Sequence, residues 1–261
     1  MPNRRLSTAR APAVSRLLWV VFAAAGATLA VLGLEIVAAL RRGYLPSSPA
    51  LEIAGSFGPE DGKPLRFAVL GDSTAAGVGA GSVERSYPAL LAARLGDAGC
   101  RVELLGFGVS GARMADLPSK QAPRAVAAHP DLVLVALGGN DATHLTPLSA
   151  LRRDLGAGLD LLEEAGAPVV VTGAPDMRAR AFLEPLRTFM GWRGRRVSRA
   201  IRQVVQERKL TFVPLAERTA RFFGEDPDST FSEDLFHPGP EGYARWADAI
   251  YPGLEEALAR R

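Results

Sequence analysis

From Leu17 to Leu34 the chain carries no charged residue, and the interval 17–40 holds only Glu35 before the pair Arg41-Arg42 closes it. Twenty-four residues in helical form reach about 36 Å, enough for the ~30 Å hydrocarbon core of a bilayer. The run is apolar all round and leaves no polar face for water, which argues against a helix of a soluble domain. The pattern therefore predicts a transmembrane signal anchor over 17–40. A cleaved signal peptide is the rival. The basic residues Arg4, Arg5, Arg10 and Arg16 suit it, and Ala38-Ala39 offers small residues before a cut, but the apolar stretch exceeds the ~7–15 residues of a signal-peptide core. Four arginines precede the span and two follow it, so residues 1–16 are expected in the cytoplasm and the remainder beyond the membrane. Secretion after cleavage is the alternative.

Residues 41–64 are rich in Pro, Gly and Ser from Gly43 to Pro64, lack periodicity, and read as a linker. Beyond them, short apolar runs alternate with helix-compatible stretches. The runs are Leu65–Leu70, Val102–Phe107, Leu132–Leu137, Pro168–Thr172 and Leu210–Pro214. They are nearly continuous rather than alternating, as expected of parallel strands covered on both faces. Helical stretches fall around 84–96, 114–128, 147–165, 193–208 and 240–258. This alternation predicts an α/β domain over 65–261: a three-layer α/β/α sandwich around a mainly parallel five-stranded sheet.

Composition narrows the chemistry. A net charge of +3 with 28 acidic residues interspersed gives no footprint for nucleic acid. The single cysteine, Cys100, excludes an internal disulfide framework and any multi-cysteine metal site. Three histidines, His129, His144 and His237, leave few ways to build a metal centre, and neither metal nor cofactor is expected.

Reactive groups in parallel sheets gather at the carboxyl ends of the strands. There the chain presents Gly71-Asp72-Ser73, then Gly106-Phe107-Gly108-Val109-Ser110-Gly111, then Gly138-Gly139-Asn140-Asp141, and near its end Asp234-Leu235-Phe236-His237. Each has an ordinary structural reading. A serine after a strand is commonly a helix cap, and Asn-Asp or Asp-x-x-His commonly forms a turn. The glycines at 77 and 79 do not complete a dinucleotide fingerprint, and no Gly-Lys-Ser/Thr phosphate loop occurs. Of the histidines, His129 before Pro130 reads as a connector. His144 has a nearby acid only in Asp141, whereas His237 has Asp234 one turn away.

Taken in order, these clusters resemble the SGNH hydrolases, or GDSL esterase/lipase family, over about residues 65–252. The resemblance implies a flavodoxin-like fold and cleavage of carboxylic esters. It makes Ser73 the nucleophile, His237 the base and Asp234 its partner, with oxyanion donors from the N–H groups of Ser73 and Gly111 and the Asn140 amide. A glycine at 111 is expected so that backbone approaches substrate without a Cβ in the way. Asp72 and Asp141 are expected to order their loops. Thr74 departs from the leucine of the family motif, and Gly106 stands where an asparagine often opens the second block, which leaves Gly108 as a fallback donor. The same residues suit an acyl- or acetyltransferase, and the scaffold also suits a non-catalytic carbohydrate- or lipid-binding module. A short-chain ester, a lysophospholipid or an O-acetylated sugar are all compatible substrates. Residues 177–196, with Phe182, Leu183, Phe189, Met190 and Trp192 among arginines, are read as a lid or acyl-binding wall, as buried core, or as a basic face for anionic lipid.

Overall fold

The computed structural model describes residues 13–46 and 51–260, so most of the basic segment expected over 1–16 lies outside the described residues. Helix α1, Ala13–Arg41, is exposed on every side from Leu17 to Val31. Its stretch Leu17–Arg41 is long and apolar enough to cross a membrane. Further along, Leu32, Glu35 and Ala39 become half-buried, at the i, i+3, i+7 spacing of one helical face.

The remaining elements form the sandwich. In chain order they are β1 (Ala54–Phe57), β2 (Lys63–Gly71), α2 (Tyr87–Asp97), β3 (Cys100–Gly106), α3 (Ala122–Ala127, entered through a π-turn over Leu117–Gln121), β4 (Leu132–Ala136) and α4 (Gly139–Thr143). There follow α5 (Leu148–Glu164), β5 (Val169–Thr172), α6 (Leu186–Glu207), β6 (Thr211–Val213), α7 (Leu215–Glu225), α8 (Pro227–Thr230) and α9 (Pro240–Ala259). The sheet runs β1-β3-β2-β4-β5-β6, parallel throughout except for β1, which pairs antiparallel with β3 from Ala54↔Leu105 to Phe57↔Val102.

The two-residue period of the strands sorts their side chains into two cores. Ala68, Leu70, Val133, Val135 and Val171 pack toward α5 and α6 with Leu155, Leu159 and Ile201. Phe67, Val69, Leu132, Leu134 and Val170 pack on the opposite face with Leu91 of α2 and Ile250 and Leu254 of α9. The central strands are buried on both faces, which is why their apolar runs are continuous.

The α/β sandwich is as expected, but the sheet has six strands rather than five. The sixth, β1, lies inside the stretch read as linker. Its sequence Ala-Gly-Ser-Phe is mostly exposed at the sheet edge and carries no apolar signature. Helix α6 also starts at Leu186, well before residue 193. Gly191 and Gly194 each make room there for a neighbour: a Cβ would stand 2.5 Å from Arg178 Cγ and 2.6 Å from Met177 Cγ, respectively.

Candidate active site

The carboxyl ends of β2, β3 and β4 converge on one spot. After β2, burial raises the Asp72 carboxyl above its ordinary range, opposed by hydrogen bonds from the Thr74 N–H at 3.0 Å and hydroxyl at 2.8 Å. That turn leaves Ser73 half-buried at its apex. After β4, Gly138 takes φ +120°, a conformation L side chains rarely adopt, and Asn140 enters the short helix α4. Asp141 is fully buried and accepts the Met114 N–H at 2.9 Å, tying the third loop to the second. Asp72 and Asp141 thus both serve loop order.

The fourth element is the loop before α9, closed by a bridge between Phe231 and Pro238 and by the Ser232 N–H donating to the His237 carbonyl at 2.9 Å. It directs His237 at Ser73. The Ser73 hydroxyl lies 3.0 Å from His237 Nε2, and His237 Nδ1 lies 2.6 Å from Asp234 Oδ2. Asp234 also accepts from the Ser232 hydroxyl (2.8 Å), the Phe236 and His237 N–H groups (2.9 Å each) and the Leu45 N–H (3.1 Å). Burial by itself would raise the Asp234 carboxyl. These hydrogen bonds, led by that from His237, outweigh burial and hold it well below the usual carboxylate range. An ionised Asp234 places the imidazole proton on Nδ1 and leaves Nε2 free to accept the serine proton. In such a chain the imidazole can take a proton as the hydroxyl attacks an electrophile.

Asn140 Nδ2 donates to the Ala112 carbonyl at 3.1 Å, which fixes the amide and leaves its second N–H for the cavity beside Ser73. Gly111 lines that cavity; Gly108 instead packs against the backbone of residues 75 and 76, at 2.6 Å from a would-be Cβ. At Gly111 a Cβ would meet no protein atom within 4 Å, and φ +79° is a second reason for glycine there. Gly106 has a steric reason of its own, since a Cβ would fall 2.3 Å from the Ile53 carbonyl oxygen just before β1. His129 takes φ +48° in a connection, and His144 is exposed at the cavity rim with its ring nitrogen 2.9 Å from the Asn140 carbonyl. Among the described residues no group of three His, Cys, Asp or Glu side chains is arranged to hold a metal.

The cavity over Ser73 measures about 480 Å³. Its lining includes Phe182, Leu186 and Met190, so residues 177–196 supply an apolar wall. Their arginines are largely engaged within the protein: Arg178 with Asp176, Arg180 with Asp228, Arg187 with the Phe182 carbonyl and buried Arg193 with the Thr146 carbonyl. The lining also contains residues that the sequence reading missed, namely Ile36, Ala39 and Leu40 of α1 and Tyr44 and Leu45 just beyond it. One signal pointed there. Glu35 interrupts an otherwise apolar span and therefore needs a partner, which the structure supplies in the Leu186 N–H at 2.9 Å.

Comparison with known proteins adds independent observations. Residues 69–245 match the GDSL-like lipase/acylhydrolase family model. A GDSL-like esterase of Mycobacterium tuberculosis is 32% identical over 200 residues, which cover 76% of this chain and 64% of that protein. An arylesterase of Vibrio mimicus is 33% identical over 107 residues, covering 41% and 52%. The chain thus spans less than two thirds of the length of either relative. Among solved structures, TesA superposes with TM-score 0.63 at 25% identity, over 74% of this chain and 99% of its own. An acetylxylan esterase from Geobacillus stearothermophilus shares the fold, with TM-score 0.59 at 18% identity over 75% and 96%.

Proposed function

The chain belongs to the GDSL-like lipase/acylhydrolase family, and from that membership we propose that it is a membrane-anchored serine esterase acting through Ser73, His237 and Asp234. The observation that carries the reading is the unbroken hydrogen-bonded line from the Ser73 hydroxyl through His237 to the ionised Asp234. His237 Nε2 takes the serine proton as Oγ bonds to the ester carbonyl carbon. The resulting oxyanion is held by the N–H groups of Ser73 and Gly111 and by the Asn140 amide. When the carbonyl re-forms, the alcohol leaves with the proton from His237, and Ser73 carries the acyl group. A water then gives a proton to His237 and attacks the acyl carbon; collapse releases the acid and returns the proton to Ser73. Asp234 stays ionised and offsets the imidazolium charge in both halves.

The span over 17–40 acts as the anchor, with 1–16 in the cytoplasm, 41–64 as the connection and the domain over 65–261 outside. Contacts of Glu35 and Ala39 with the domain favour retention over cleavage, because a cut after Ala39 would remove them. A fluorophosphonate probe is expected to label Ser73 and to leave Ser73→Ala unlabelled and without esterase activity. Labelling at another serine would overturn the assignment. Fractionation is expected to find the full-length chain in membranes; a shortened soluble form would overturn the anchor.

A further inference from the structure

We infer that the substrate is a long-chain acyl ester resident in the membrane, drawn into a pocket whose roof is the end of the anchor helix itself. This inference rests on the serine-esterase reading and deepens it.

The argument begins with position. The uncharged run of α1 ends at Leu34, and Leu40 lies six residues on, about 9 Å along a helix axis. A cavity lined by Ile36, Ala39 and Leu40 therefore opens within two helical turns of the hydrocarbon. The helix is fixed against the domain by the half-buried face of Leu32, Glu35 and Ala39, with Glu35 accepting the Leu186 N–H at the start of α6. Arg42 adds a long contact of 3.4 Å to the Ala181 carbonyl. Tyr44 packs edge-on against Phe236 at 5.1 Å, and Phe236 in turn packs against His237 at 5.1 Å, so the roof reaches the reacting groups through touching rings.

Chemistry of the lining then selects the ligand. At about 480 Å³ the cavity has the size of a ligand site rather than a packing defect. Its polar members, Ser110, Thr143 and His144, sit beside Gly111 and Asn140, where the ester group would lie. The rest of the wall is apolar, made of aliphatic side chains from Ile36 and Leu40 to Leu186 and Met190 and of the rings of Tyr44, Phe182 and Phe236. An acetylated sugar placed there would leave hydroxyls without partners, which burial penalises. An acetyl group would leave the cavity nearly empty. Each methylene of a longer chain that enters the wall raises affinity by up to about fourfold. The rim is apolar too: Leu40, which lines the cavity, is 79% exposed, which suits contact with lipid better than with water.

The test uses the full-length protein in nanodiscs of phosphatidylethanolamine and phosphatidylglycerol, with p-nitrophenyl acetate and p-nitrophenyl palmitate. The wild type is expected to favour palmitate by about 100-fold or more in kcat/KM. Ala39→Trp, which fills the roof, and Leu40→Gln, which makes it polar without adding bulk, are each expected to lower the palmitate-to-acetate ratio at least tenfold. Thermal melts establish that both variants fold. Val37→Trp, on an exposed part of the same helix outside the cavity, is expected to leave the ratio unchanged. Palmitate ester carried in the enzyme's own nanodiscs is expected to be cleaved at least tenfold faster than the same ester offered in separate nanodiscs. A preference for acetate, an unchanged ratio in both roof variants, or a Val37→Trp effect as large as theirs would overturn the acyl pocket. Equal rates from the two nanodisc populations would overturn entry from the membrane. Absence of turnover on both esters, with Ser73 unlabelled, would instead reject the underlying esterase reading.

Discussion

The cavity over Ser73 has a floor and a roof built on different physical terms. The floor is made by four loops of the α/β domain and is dense in short hydrogen bonds. Asp234 alone accepts from the Ser232 hydroxyl, the Phe236 N–H and the backbone N–H and ring Nδ1 of His237 within 2.9 Å. The roof is one helix end held by an apolar face and, among the described residues, by three polar contacts: Glu35 to Leu186, Arg42 to Ala181 and Leu45 to Asp234. The contrast separates two tasks. Charge development at a reacting carbonyl needs donors fixed to within tenths of an ångström, which only a packed, hydrogen-bonded network supplies. Selection of an acyl chain is a matter of apolar area and tolerates a looser wall.

The comparison can be broken most severely on the floor. Asp234→Asn is expected to lower kcat by about 10⁴, because the amide favours the wrong imidazole tautomer, while the protein still melts cooperatively. Asn140→Ala removes one proposed oxyanion donor and is expected to lower kcat by ~10²–10³ with little change in KM. A rise in KM alone would make Asn140 a ground-state contact. The roof responds more gently. Glu35→Gln replaces a charged acceptor at the start of α6 with a neutral one, and is expected to reduce kcat/KM for a palmitate ester by about fivefold. A loss equal to that of Asn140→Ala would erase the distinction between the two walls.

The smallest effect concerns pH. Because the Asp234 carboxyl lies below the usual range in the folded protein, its ionised form adds stability. That contribution is complete above the ordinary Asp value, about 3.9, and is lost as pH falls through the folded-state value. Melting temperatures of the wild type are therefore expected to fall more steeply than those of Asp234→Asn on acidification below about pH 4.

How much of this was legible in the sequence depended on whether a residue's reason was local. Strands β2, β4 and β5 were legible because they are buried on both faces and read as nearly unbroken apolar runs, and β3 and β6 because they keep apolar residues at buried positions. Ser73, Gly111, Asn140, Asp234 and His237 stood out because, taken in order, their clusters resemble the blocks of one family; the structure brings four of them to one cavity and buries Asp234 behind it against His237. Edge strand β1 was not legible, since an exposed four-residue strand needs no apolar pattern. Nor was the start of α6, whose glycines answer to Met177 and Arg178 rather than to helix propensity. The roof escaped for the same reason. Glu35 and its partner Leu186 are 151 residues apart, and no local pattern links an anchor helix to a loop beyond strand five.

If α1 is the anchor proposed above, its contact through Glu35 with the Leu186 N–H gives it a second role at the cavity. A domain shed from its helix would keep Ser73, His237 and Asp234 but lose the contacts that Glu35 makes, and with them the ceiling of the cavity. Shedding would thus leave an enzyme of altered taste, open to small water-borne esters and less selective for chain length, with only the wall of Phe182, Leu186 and Met190 remaining. Rates measured on a clipped soluble form would describe that second enzyme, and a inhibitor screen run on it would reward compounds that never meet the ceiling.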